Sequence, residues 1–397
     1  MNAKKLFLST VFLFLSSFAF SVGPLYSPTW GFSLDLPVSF ELTDSNGIDR
    51  FSFANACGAH FDVIVYHAAD GRPHHHPNLQ ALVQDVQQRL NNSGQTDSFD
   101  FRGRTAYVIE LNFEISTAGG ETQRMSGWAL AHTLEDNRPG AAANAPGSSP
   151  PKLLALAYGL AERNDLLVYH LSALNSIALQ AQDRLAPGPI TEFLYPRRTQ
   201  VRVPVFGMDI QAQFFAEDAE AAQALIEREF LLLRRYEHAH NWQQAWQRFY
   251  RAIYRDSFYR LQDAAFHIER ELNAHSSGER DFAESLLRWV QTFTFERDFE
   301  GSDFVNLVSA VTEGRGDCDS RAMLWALILR QANIPSGIMV SRHFSHAMGL
   351  AYLPGSGARF PVDGQGFLVA ETTTDVGIGL IEQEMSVIGH WLGIIFE

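Results

Sequence analysis

The alternation of apolar and polar positions changes period along the chain. From Trp30 to about Leu160 the dominant period is two. "HFDVIVYHA" (60–68), "FDFRGRTAYVIELNFEI" (99–115, two strands about a turn at Gly103), "MSGWALAHTL" and "KLLALAYGLA" all predict strands, and "WGFSLDLP" predicts another that ends at its proline. Two stretches break this rhythm with helical spacing. One carries Leu79, Leu82, Val83, Val86 and Leu90; the other is "VYHLSALNSIAL". "NRPGAAANAPGSSPP" (137–151) predicts a loop. After Tyr195 a short hairpin is expected, then helices from about Asp218. Trp242, Trp246, Phe249, Tyr250 and Ile253 fall on one helical face and predict a packing stripe that joins two halves of the molecule. From about Ser276 the order becomes helix, helix, strand, strand. "DFAESLLRWVQTF" is amphipathic, and "DCDSRAMLWALILRQANI" is apolar on nearly every side, as a buried helix is. "GIMVSRHF", "HAMGLAYL" and "FLVAETT" predict strands, and no internal repeat is visible.

These shifts predict an α+β fold in four segments: a leader over 1–21, an α+β unit over 22–195, a hairpin and helical connector over 196–275, and a C-terminal unit over 276–397. The leader follows from Lys4 and Lys5, the apolar run Leu6–Phe20, and small residues Ala19 and Ser21 at cleavage-site spacing. That run is short of the roughly 20 residues a membrane helix needs, though an uncleaved anchor is the alternative. No cysteine follows it to take a lipid anchor. The expectation is an exported protein, periplasmic or secreted, with no integral membrane segment after leader removal. Composition agrees with a large core, at 46% hydrophobic residues. A net charge of −14 with no Lys/Arg block argues against a nucleic-acid partner.

Export makes the cysteine usage informative. Only Cys57 and Cys318 occur, too few for a disulfide framework or a four-thiolate zinc site. Cys318 sits in "EGRGDCDSRAM", where Gly314 and Gly316 supply a turn and a helix starts at the thiol. A helix N-terminus favours the thiolate through free N–H groups and the helix dipole. A cysteine nucleophile also needs a histidine base oriented by a third polar group. Downstream, His343 and His346 are three apart, so on a strand they face opposite sides and only one can face the helix carrying Cys318. His346 opens an apolar strand and is the better base. Two acids are available. Asp363 lies in the turn "VDGQG", about 23 Å along a strand from the histidine end. Glu371 ends the returning strand and is preferred.

"GDCDSRAMLWALILRQANIPSGIMV", "SHAMGLAYLPG" and "FLVAETT" together resemble the nucleophile helix, histidine strand and acid strand of the transglutaminase-like superfamily. The resemblance covers roughly the last 120 residues. It implies a papain-like core with a nucleophile helix packed on an antiparallel sheet, and a triad of Cys318, His346 and Glu371. It further implies a thioester route on a protein or peptide substrate, with water or an amine as acceptor and no cofactor or metal. Met348 stands where the family usually has an aromatic residue, and glutamate replaces the commoner aspartate. The first unit, through "WGFSLDLP" and "FRGRTAYVIEL", is similar to Mog1/PsbP-like α/β domains, which implies a sandwich-like binding module.

Other features are read more plainly. The Cys318 N–H and Asn306 are candidate oxyanion donors. Asp317 and Asp319 either raise the thiol pKa, against the helix effect, or cap the helix and pair with Arg315 or Arg321; capping is the expected role. Their cluster does not match a calcium loop. His74, His75 and His76 are expected in a solvated loop, and Cys57 as a small buried residue. No phosphate-binding glycine loop, H-E-x-x-H or G-x-S-x-G is present. Hydrolysis of peptide or amide bonds is the expected activity. Protein cross-linking and a non-catalytic envelope scaffold are the alternatives.

Overall fold

The computed structural model describes residues 23–67, 76–116, 120–135, 149–274, 276–297 and 301–396. The expected leader, His74, His75 and most of the 137–151 loop lie outside them. The period-two region forms one antiparallel sheet of seven strands: β1 (Glu41–Ser45), β2 (Arg50–Ala54), β3 (His60–Tyr66), β4 (Thr96–Phe101), β5 (Arg104–Ser116), β6 (Thr122–Thr133) and β7 (Lys152–Leu160). Their spatial order is β1-β2-β3-β7-β6-β5-β4. Alternation gives the sheet two apolar faces. Phe61, Val63, Leu153 and Ala155 pack beneath α2 (Leu167–Asn175), while Leu154, Leu156 and Ile109 meet α1 (Leu79–Leu90). "WGFSLDLP" yields only a two-residue strand, Ser33–Leu34, because Gly31 turns the chain with a left-handed φ of 78° and Pro37 follows. Its apolar residues still anchor the core, with Trp30, Phe32 and Leu34 buried.

After a short helix, α3 (Pro189–Leu194), a hairpin of β8 (Gln200–Pro204) and β9 (Gln211–Phe215) leads into α4 (Asp218–Leu233), α5 (Trp242–Arg260), α6 (Gln262–Asn273) and α7 (Glu279–Gln291). Then come α8 (Leu307–Glu313), which the sequence reading did not contain, and α9 (Cys318–Gln331). The second sheet holds β10 (Ser336–Ser341), β11 (His346–Ala351), β12 (Arg359–Val362), β13 (Gln365–Ala370) and β14 (Leu392–Ile395). It is antiparallel throughout, in the order β12-β13-β11-β10-β14. No helix among the described residues is long and apolar enough to cross a membrane.

One hydrophobic core runs from Val205 to Phe396, so the hairpin and α4–α6 share a core with the C-terminal sheet. α9 lies at its centre, with every residue from Ser320 to Leu329 buried. It rests on β11 so closely that a Cβ at Gly349 would lie 2.5 Å from the Trp325 ring.

α5 has two faces, and the contact between the halves differs from expectation. Phe249, Tyr250, Ile253 and Tyr254 turn into the C-terminal core. Arginines do the joining. Buried Arg248 reaches Glu229 (2.6 Å) and Ser172 (2.8 Å), and Arg251 meets Asp35 (2.9 Å). Arg255 donates to the carbonyls of Asn175, Ser176, Ile177, Asp183 and Ala186. A small apolar cluster including Ala59, Leu166, Tyr169, Leu232 and Tyr236 completes the junction.

Candidate active site

Gly314 ends α8 in the left-handed conformation (φ 65°), where a side chain would be strained and would strike Phe206. Arg315 and Gly316 then pair in parallel with Thr294 and Phe295. Asp317 caps α9: its backbone is extended and its carboxylate accepts from the Ser320 N–H at 2.8 Å. Cys318 is the first helical residue. The expected arginine partners of the flanking acids go elsewhere. Arg315 pairs with Glu313 (2.5 Å) and Glu296 (2.9 Å). Arg321 is buried and donates to the carbonyls of Gly316 (3.0 Å) and Phe293 (2.6 Å).

The imidazole and the acid come from neighbouring strands. Gly349 of β11 lies opposite Ala370 of β13, so Glu371 emerges beside the start of β11. Glu371 Oε2 lies 2.7 Å from His346 Nε2. A carboxylate only accepts, so Nε2 carries the proton and Nδ1 presents its lone pair. Glu371 Oε1 accepts from the Thr373 N–H (2.8 Å) and Oγ1 (2.6 Å). Burial raises the Glu371 pKa, but His346 and Thr373 outweigh it and hold the carboxyl below its ordinary value. Asp363 occupies the exposed, left-handed turn (φ 48°) between β12 and β13, at the other end of the sheet. His343 lies in the turn before β11, exposed and stacked on His390 at 4.1 Å.

Cys318 meets this pair through the backbone. The Ala347 N–H, one residue beyond His346, is directed at the sulfur and favours its thiolate. No hydrogen bond joins Cys318 to His346. His346 was expected to face the helix of Cys318, but it shares its strand parity with Met348 and Leu350, which pack on the sheet face away from α9, whereas Ala347 and Ala351 face it. The sulfur's side-chain partner is Asp319 Oδ2 at 3.5 Å, and Asp319 Oδ1 accepts from the buried Tyr250 hydroxyl at 2.5 Å. Burial first, then the carboxylates of Asp319 and Asp317, push the thiol well above the ordinary cysteine range. The helix N-terminus was expected to lower it. Burial first, and then two acids within one residue of the sulfur, reverse that expectation.

Other expectations change too. Asn306 caps α8: its Oδ1 accepts from Ser309 N (2.9 Å), and its Nδ2 is spent on Gln223 (3.3 Å) and Ser309 Oγ (3.1 Å), so it is not free to serve as an oxyanion donor. His76 is buried and bound to Asp85 at 2.9 Å rather than solvated. Both cysteines are free, and Cys57 Sγ lies 3.8 Å from the Tyr169 hydroxyl. Asp317, Cys318 and Asp319 bring one ligand-type atom each within 4.8 Å of one another. Both aspartates already serve as hydrogen-bond acceptors in the protein, and nothing else marks the trio as a metal site. Thr373 was missed, although an acid followed two residues later by threonine is a local side-chain-to-backbone motif. The Tyr250–Asp319 contact spans 69 positions and has no local signal.

No family model and no curated protein matches this chain. Among solved structures it is similar to Legionella pneumophila LapG, at TM-score 0.24 and 13% identity over 43% of this chain and 83% of that one. The calcium-bound form of LapG gives 0.24 and 14% over the same shares. A protein from Bacteroides thetaiotaomicron gives 0.20 and 9%, over 58% of this chain and 75% of the other. Scores this low leave the functional reading to the chain's own residues.

Proposed function

We propose that this chain is an exported, transglutaminase-like cysteine hydrolase that cleaves peptide or amide bonds through a thioester at Cys318. The observation that carries the reading is the His346–Glu371 hydrogen bond, held at 2.7 Å at the start of the strand whose next amide is directed at the Cys318 sulfur. Glu371 keeps the proton on Nε2, which leaves Nδ1 to take the thiol proton. Because the resting sulfur is a thiol, the base acts as substrate engages rather than in a standing ion pair. The sulfur attacks the carbonyl carbon. The first-turn N–H of Cys318, which has no partner inside its own helix, faces the developing oxyanion. The C–N bond breaks as His346 returns the proton to the departing amine. Water then attacks the thioester, giving its proton to His346, and the acid leaves as the C–S bond breaks and the sulfur regains a proton. An amine in place of water gives cross-linking. The leader-like first 21 residues support export, where water is the abundant acceptor.

One observation favours a second reading, a non-catalytic envelope scaffold: the thiol is raised and makes no hydrogen bond to His346. A thiol-reactive probe at neutral pH separates the two. The hydrolase requires labelling of Cys318 that falls at least tenfold in His346→Ala, and release of new amino termini or ammonia that ceases in Cys318→Ala. Slow labelling that is indifferent to His346 supports the scaffold and sinks the hydrolase.

A further inference from the structure

The segment that carries Glu371 is irregular. After β13 the chain "ETTTDVGIG" (371–379) makes no ladder with the sheet beyond Ala370, so its backbone groups must be satisfied elsewhere. Gly379 bonds back to Val369 and Ala358, and the groups of Glu371, Thr374, Val376 and Ile378 are satisfied by one face of α7. Gln291 Nε2 donates to the carbonyls of Glu371 (2.8 Å), Thr374 (2.7 Å) and Val376 (2.9 Å). Two turns earlier, Glu284 accepts from the Ile378 N–H at 3.2 Å with both oxygens. One turn before that, Arg280 Nη2 donates to the Ile378 carbonyl at 3.2 Å. Residues 280, 284 and 291 project from one side of a helix with 3.6 residues per turn. An amide NH₂ has two protons and here serves three carbonyls, so at least one proton is shared.

We infer that Gln291 is a positioning residue for the acid–base pair, fixing the backbone of Glu371 so that its carboxylate meets His346 Nε2. The inference rests on the hydrolase reading for its catalytic meaning but not for its geometry. Thr373 fixes one carboxylate oxygen and His346 engages the other. The ladder at Ala370 holds Glu371 from its N-terminal side only, and Thr373 travels on the same turn, so the carbonyl side of Glu371 is held by Gln291. Gln291 comes from a different element, and α7 is tied to the nucleophile helix by the Trp325 N–H on the Ala283 carbonyl at 3.1 Å. α7 thus references the acid to the helix that carries Cys318. Placement errors of about 1 Å in a catalytic constellation cost on the order of 100-fold in rate.

The test compares Gln291→Met, similar in length but without a donor, with Gln291→Glu, which keeps the shape and loses the NH₂. Arg288→Ala, an exposed change on the same helix, serves as control. The first readout is the low-field proton NMR signal of the His346 Nε2–H against Glu371, assigned by its loss in His346→Ala. It should move upfield or broaden in both Gln291 variants and stay unchanged in Arg288→Ala. The second is amide hydrolysis, where kcat should fall roughly 10–100-fold with KM nearly constant. If Gln291→Met misfolds by circular dichroism, Gln291→Glu decides. An unshifted signal in a folded Gln291 variant overturns the inference and leaves the hydrolase untouched. A shifted signal in a protein whose hydrolysis survives Cys318→Ala overturns the hydrolase and leaves the positioning role standing.

Discussion

Cys318 is buried and flanked by two aspartates, and burial first, then the two acids, holds its thiol pKa up. A carboxylate disfavours a thiolate beside it, so removing one should bring the thiol part of the way down. Asp319→Asn is expected to lower the thiol pKa and to raise iodoacetamide labelling at pH 8 at least several-fold; an unchanged pH–rate profile would contradict the charge argument. A second residue-scale effect lies far from the site. His170 is buried on α2 with Nε2 unpartnered, and burial holds its pKa down at about 4 from an ordinary 6.5. The unfolded chain therefore binds a proton between about pH 6.5 and 4 that the folded chain refuses, and stability falls across that window as pH falls. The loss is on the order of 3 kcal/mol. Thermal melts at pH 7 and pH 5 should draw closer together in His170→Leu than in the parent. At this scale the sequence revealed what chemistry makes rare or local. Cys318 stood out because cysteine is scarce, and the acids were separable because strand length is countable. The contacts of Tyr250 with Asp319 and of Gln291 with Glu371 were invisible, since each spans about 70 or 80 positions.

At the scale of elements, caps made boundaries legible. α1 runs from Leu79 to Leu90, as the spacing predicted, because Asn78 accepts from Ala81 N at its start and Asn91 closes it in the left-handed region. α8 and β14 were missed for a physical reason: seven and four residues are too few to display a period. α5 was legible only as a stripe. Periodicity says which residues share a face, not what that face meets, so the aromatic side was assigned the junction that Arg248, Arg251 and Arg255 hold. Arg248 and Glu229 are both buried, and burial of Glu229 is offset by Arg248, which leaves its carboxyl below the ordinary range. Arg248→Ala leaves that carboxylate to Arg228 (3.2 Å) and Ser172 and should cost about 3 kcal/mol, the lower end for breaking a buried pair. Arg248→Met combined with Glu229→Leu should cost much less, as chemical denaturation would report.

At the scale of the molecule, segment boundaries drawn from pattern do not coincide with cores. The hairpin and helices of 196–275 read as a connector, yet their apolar residues join the same core as the C-terminal sheet. Hydrophobic pattern marks where a chain needs a partner and cannot say which partner it takes. A chain of residues 196–397 should therefore fold alone. It should melt below the full-length protein and bind an apolar dye through the uncovered Leu232 and Tyr236, a signal the full chain lacks. The contact of Gly349 with Trp325 bears on which changes the fold can accept. The ring sits against bare backbone, between α9 and β11. Any larger residue at 349 would wedge that helix and strand apart, and with them Cys318 and His346, without touching either side chain.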